Sequence, residues 1–222
     1  MNYLSHFFID NKPEAHYYNA ALILPDITKT WIKKFDPDLL PNPASEIHRQ
    51  LLSGALQHYH SDKLFHASTF FAKYQELINV KLKNIPLSDD VNRKWFIAHV
   101  LTELLIDRQI VKSHQSIVDD FYDSLNHVDD RELSISLGYF GMTDPADFLR
   151  FFGHFRNARY IYYYADNNKF LYSLGRIMMR VGIKELSEKD GRVLLEAILE
   201  IELLYMSDTN SLLDELKAVF NK

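Results

Sequence analysis

The chain has no cysteine, which excludes disulfides, thiolate zinc sites and a cysteine nucleophile and gives no sign of an oxidising compartment. Seven glycines and seven prolines are few for 222 residues, and none of them cluster into a linker. Residues 1–222 are therefore expected to form one domain, long enough to bury a substantial core. Apolar runs long enough to cross a bilayer are missing. The opening Met1-Asn2-Tyr3-Leu4-Ser5-His6 carries no Lys or Arg, and its apolar run breaks at Asp10, Asn11 and Lys12, which is not the pattern of a signal peptide; a cytoplasmic protein is expected. An excess of positive charge is also missing. With 25 basic against 30 acidic residues and a net charge of −5, the chain does not suit general nucleic-acid binding, which needs a basic surface.

Alternating runs rich in Val, Ile and Thr are absent, whereas apolar residues recur at three- and four-residue spacing, so the chain is expected to be all-α, a bundle of roughly seven helices. Asn42-Pro43 has the cap-then-proline form of a helix start, and that helix is expected to run to about Leu77. Ser88 ahead of Asp89 and Asp90 marks another start, Asp144-Pro145 repeats the signature, and Ser187-Glu188-Lys189-Asp190 resembles a capping box before the apolar face Val193, Leu194, Ala197, Ile198 and Ile201.

Within Gly54–His66, His58, Asp62 and His66 stand at i, i+4 and i+8, which on a helix gives one face an imidazole, a carboxylate and a second imidazole. A metal needs such a row, although a solvated polar stripe opposite Leu51, Leu52, Ala55, Leu56 and Tyr59 has the same spacing. Trp95–Asp107 carries His99 and Glu103 at i, i+4 in a segment apolar nearly all round, the mark of a buried helix. Glu103 has no Lys or Arg within one turn, so a metal or a partner from another helix must compensate its burial; a buried His99–Glu103 hydrogen bond or a long-range ion pair fits the same residues. His6 sits among Tyr3, Leu4, Phe7, Phe8 and Ile9, and Asp26 follows Pro25 at the end of an apolar run. Each alone fits a core histidine or a turn. Together, His6, Asp26, His58, Asp62, His99 and Glu103 offer three imidazoles and three carboxylates, enough for two ions of manganese, iron or zinc rather than calcium. Such ions activate water against a phosphodiester. Lys169, Arg176, Arg180 and Lys184 recur at spacings of seven, four and four, a helical basic ridge suited to a phosphate or an acidic protein, or simply a solvated face. Arg156 and Arg159 are candidate extensions. The aromatic cluster Phe151, Phe152, Phe155, Tyr160 and Tyr162 to Tyr164 suits a core.

The opening MNYLSH, the Leu24-Pro25-Asp26 step, Gly54-Ala55-Leu56-Gln57-His58 with Asp62, and Gly175-Arg176-Ile177-Met178-Met179-Arg180 resemble, in the same order, the acyl carrier protein phosphodiesterases. The resemblance implies an HD-domain-like helical metallohydrolase of lipid metabolism that uses manganese to release phosphopantetheine from holo acyl carrier protein. It places His6, Asp26, His58 and Asp62 at the metal, with Glu103 where the family has an aspartate. His66 then holds a second metal or acts as catalytic acid toward the leaving alkoxide, and Arg176 and Arg180 receive phosphate or the acidic carrier. The chain departs from the pattern at Tyr59 and His60, where the family has two arginines, and at His66 and His99, where acids are usual. The His-Asp-His row with a preceding Pro-Asp and a later His-x-x-x-Glu is also similar to zinc-dependent phospholipase C. A non-catalytic helical protein that keeps a metal or polar core and binds a partner fits the same residues.

Overall fold

The computed structural model describes residues 1–42 and 44–220, without the side chains at 206 and 207. Among the described residues there is no strand. In chain order the helices are α1 (Tyr3–Asp10), α2 (His16–Ala21), α3 (Leu24–Thr28), α4 (Glu46–His66), α5 (Thr69–Asn84), α6 (Lys94–Ser113), α7 (Gln115–Asn126), α8 (Asp130–Tyr139), α9 (Ala146–Ala158), α10 (Asn167–Arg180) and α11 (Glu188–Phe220), with 3-10 turns at Pro37–Leu39 and Tyr160–Ala165. The protein is all-α, and its helices are more numerous and mostly shorter than the sequence periodicity suggests.

Local chemistry explains where the boundaries differ. The helix expected up to Leu77 is two helices, because Ser68 leaves helical geometry and accepts the Phe71 N–H at 3.1 Å, capping α5. Pro43, read as its first residue, lies outside the described residues. Ser88 caps nothing on its own segment. Its N–H and hydroxyl both donate to the Asp190 carboxylate at 2.8 Å, and α6 begins only after Arg93, which holds φ 52°. Asp144 accepts the Ala146 N–H at 3.1 Å where α9 starts. Ser187 caps α11 by accepting the Asp190 N–H at 3.0 Å, the first half of the expected box; the Asp190 carboxylate accepts the Ser187 hydroxyl at 2.6 Å in place of the Ser187 backbone N–H. The basic ridge ends early. Gly182 adopts φ 82°, its N–H bonds the Met179 carbonyl and that of Ile183 bonds Met178, a glycine stop that leaves Lys184 off the helix, paired with Asp90 at 2.7 Å.

The chain divides into two compact units, each built from separated segments: Tyr3–Lys63 with His114–Tyr160, and Met1–Asn2 with Leu64–Ser113 and Ile161–Lys222. In the first, Leu4, Phe7, Leu51, Ala55, Val118, Phe121, Phe148 and Phe152 are buried. A Cβ added at Gly54 of α4 would stand 2.3 Å from the Tyr18 carbonyl oxygen and 2.7 Å from Ala21 Cβ. Here α4 meets α2 backbone to backbone, and only glycine fits. In the other unit, α5 and α6 pack along each other and α11 lies against both, burying Tyr74, Ile78, Leu101, Leu105, Ile198 and Tyr205. Arg108 is fully buried there. It donates to Glu202 at 3.1 Å, to the Tyr164 carbonyl and to Asn167 Oδ1, and its guanidinium lies 4.8 Å from the Phe170 ring centre, so the charge is compensated on every side.

Candidate metal centres

The close contact at Gly54 sets the first centre. One turn further along α4, His58 reaches back to the chain leaving α2, and its Nδ1 lies 2.8 Å from the Leu22 carbonyl. A carbonyl only accepts, so Nδ1 carries the proton and Nε2 holds the lone pair. His6 of α1, 0% exposed, stacks on the His58 ring with centroids 4.1 Å apart, and its Nδ1 lies 3.0 Å from Ser61 Oγ. Ser61 donates its one hydroxyl proton to the His58 carbonyl at 3.0 Å. Toward His6 it can then only accept, which assigns the Nδ1–H tautomer to His6 as well. Two imidazoles with their Nδ1 protons committed to neighbouring oxygens are prepared to coordinate through Nε2. Asp26, in the first turn of α3, supplies the carboxylate: ligand atoms of His6, Asp26 and His58 all lie within 4.8 Å of one another. Burial pushes the His58 pKa down, against the opposing pull of Asp26, the Leu22 carbonyl and Asp62. Its ring stays neutral and fit to bind a cation. Asp62 acts on His58 by charge but is not one of the three.

The second centre lies wholly in the other unit. His66, the last residue of α4, and His99 and Glu103 of α6 bring their ligand atoms within 4.8 Å of one another. The Nε2 atoms of His66 and His99 lie 3.2 and 3.3 Å from Glu103 Oε1, and the two rings stack with centroids 5.2 Å apart. Phe71 sets its ring edge-on to both. Glu103 finds the compensation its burial requires. Burial pushes its carboxyl up, but the Met1 α-ammonium at 3.4 Å and the hydrogen bonds from the two histidines outweigh this and hold it well below the usual carboxylate range. The side chains keep exposures of 29%, 33% and 19% for His66, His99 and Glu103, so this centre is open to solute where His6 is not.

The seven candidates therefore gather as two trios, each of two imidazoles and one carboxylate, with Asp62 beside the first. His66 falls among potential ligands. Arg176 and Arg180 are exposed on α10, whereas Arg156 and Arg159 are engaged by Asp130 at 2.8 Å and Asp119 at 3.2 Å. Phe152, Phe155 and Tyr164 are core residues. Ser61 and the Leu22 carbonyl escaped the sequence reading. A serine three residues after a helical histidine was the only available hint, and a carbonyl gives none. No family model, curated protein or solved structure matches the chain.

Proposed function

We propose that the protein is a metal-dependent phosphoric diester hydrolase. The observation that carries this reading is the pair of trios with two imidazoles and one carboxylate each, the first with both Nδ1 protons already committed. The donor set suits manganese, iron or zinc. Each trio supplies one carboxylate, Asp26 or Glu103, the latter already paired with the Met1 α-ammonium, so a divalent cation retains a net positive charge that favours an anionic phosphodiester. Three protein ligands leave coordination positions vacant. A divalent ion bound there supplies water acidified toward neutrality and a Lewis acid for the phosphoryl oxygen. The chain's own part is preparation: Ser61 and Leu22 orient His6 and His58, Phe71 walls one side of the second trio, and Glu103 stays ionised.

The experiment is to measure bound metal in the purified protein and hydrolysis of bis-p-nitrophenyl phosphate with added manganese. We expect bound transition metal and turnover, with His58→Ala removing metal from the first trio, His99→Ala removing it from the second, and at least one of the two variants abolishing turnover. Failure to bind manganese, iron or zinc, with no turnover under any of them, would sink the proposal. The resemblance names the first natural substrate to assay, the serine-linked phosphopantetheine of holo acyl carrier protein. Loss of the prosthetic group, followed by mass spectrometry, is the expected result, and an intact holo protein directs the search to another diester.

One observation favours a second reading, a zinc hydrolase similar to phospholipase C. His66 and His99, where the chain departs from the carrier-protein phosphodiesterase pattern, are the imidazoles that meet Glu103. Release of phosphocholine from phosphatidylcholine, with zinc as the activating ion, would select it.

A further inference from the structure

Helix α10 is unlike the rest of the molecule in charge. It carries Lys169, Arg176 and Arg180 and no acidic residue, in a chain where acids outnumber bases. Phe170, Leu174 and Met178, four residues apart, are fully buried and form its inner face. On the outside, Tyr172 and Met179 stand 63% and 40% exposed among the three cations. Lys169 Nζ lies 4.8 Å from the ring centre of Tyr163, another exposed aromatic.

The presentation is firm. Buried Arg108 holds the 3-10 turn ahead of α10 through the Tyr164 carbonyl and the first residue of α10 through Asn167 Oδ1, and Gly182 stops its end. Nearby charges are spoken for, Lys184 by Asp90 at 2.7 Å and Arg192 by Glu188 at 2.7 Å. Arg176 and Arg180 make no ion pair among the described residues. Beside them a groove of about 370 Å³ runs between α10 and the start of α11, walled by Leu171, Leu186 and Leu195 and lined also by Tyr172, Arg176 and Met179. Glu185 and the paired Glu188 and Arg192 line it too; of the three cations of α10 Arg176 lines the groove itself, and Glu185 is the one lining carboxylate without an ion pair among the described residues.

A soluble acidic partner would match the cations alone. Tyrosine and methionine side chains standing in water between them, next to an apolar groove, match a surface that is anionic outside and hydrocarbon just beneath, where Tyr sits at headgroup depth and Lys and Arg meet phosphate. We propose that the outer face of α10 docks on an anionic lipid bilayer, with Lys169, Arg176 and Arg180 on the headgroups and Tyr172 and Met179 at the acyl boundary. This inference does not depend on the hydrolase proposal.

Co-sedimentation tests it, using vesicles of phosphatidylcholine with phosphatidylserine against phosphatidylcholine alone, and sedimentation reads binding whether or not lipid is cleaved. A chain of net charge −5 should be repelled by the mixed vesicles unless a local basic face overrides the field. We expect binding to the mixed vesicles only, declining with added salt. Arg176→Gln with Arg180→Gln should weaken it by about 25-fold, roughly fivefold per cation. Tyr172→Ser with Met179→Ser should weaken it while leaving its salt dependence. Equal binding to both vesicle types, or none to either, overturns the proposal. Binding of soluble polyglutamate without binding of vesicles does so too, and assigns the face to an acidic polypeptide.

Discussion

His58 shows how one residue's chemistry is set by neighbours remote in sequence. Its Nδ1 proton goes to the Leu22 carbonyl, 36 residues back, and burial lowers its pKa from the ordinary 6.5. The unfolded chain then binds the proton more tightly than the folded one, so stability from this group is complete above pH 6.5 and is lost as pH falls through the depressed folded value. Metal uptake at the first trio should follow the same direction and persist below the pH at which an exposed histidine would lose its metal, as a titration of bound manganese against pH would check. Ser61→Ala removes the acceptor that orients His6, and the expected loss of manganese affinity is about 10- to 100-fold by calorimetry with little change in helicity. Glu103 behaves as a depressed carboxylate. Its contribution to stability is full above its ordinary 4.5 and disappears as pH falls through the lower folded value, and Glu103→Gln should flatten that acid limb in a denaturation series. The candidate ligands themselves were legible in the sequence, because imidazoles and acids on apolar segments need a reason. Their division into trios was not: spacing puts His58, Asp62 and His66 in one row, while the partners of His66 come from α6, more than 30 residues on.

Among the elements, α4 and α2 depend on a single atom's absence. Gly54→Ala would drive a Cβ into the Tyr18 carbonyl, and the strain should cost about 1–3 kcal/mol in chemical denaturation. Since His58 reaches Leu22 from the next turn, the same substitution should weaken metal binding at the first trio. A stability loss with unchanged metal affinity would separate the helix contact from the site. At α11 the Ser187 cap was plain from the sequence, and Ser187→Ala should cost about 1 kcal/mol. Ser88 was misleading for a physical reason: its sequence has a cap's form, but its partner is Asp190, which lies 102 residues away, and tertiary hydrogen bonding overrode the local preference. The end of α10 was missed because Lys184 continues a charge spacing that the backbone abandons at Gly182.

For the molecule as a whole, the three- and four-residue apolar spacing was sufficient to predict the all-α class. The two units were not visible, because the chain passes from one to the other four times, between Asn2 and Tyr3, between Lys63 and Leu64 inside α4, between Ser113 and His114 at the junction of α6 and α7, and between Tyr160 and Ile161 inside a 3-10 turn, with no Pro or Gly linker to mark any crossing. Each unit holds its own trio, so metal should stabilise the fold by mass action. Manganese at 100 times its dissociation constant should add roughly 2.7 kcal/mol per site, and chelation should reverse it. The central claim is that two imidazole–imidazole–carboxylate trios hold divalent ions, and anomalous diffraction from crystals grown with manganese or zinc tests it most directly. The account predicts anomalous peaks bounded by His6, Asp26 and His58 and by His66, His99 and Glu103. Well-ordered crystals with no peak at either trio would contradict it.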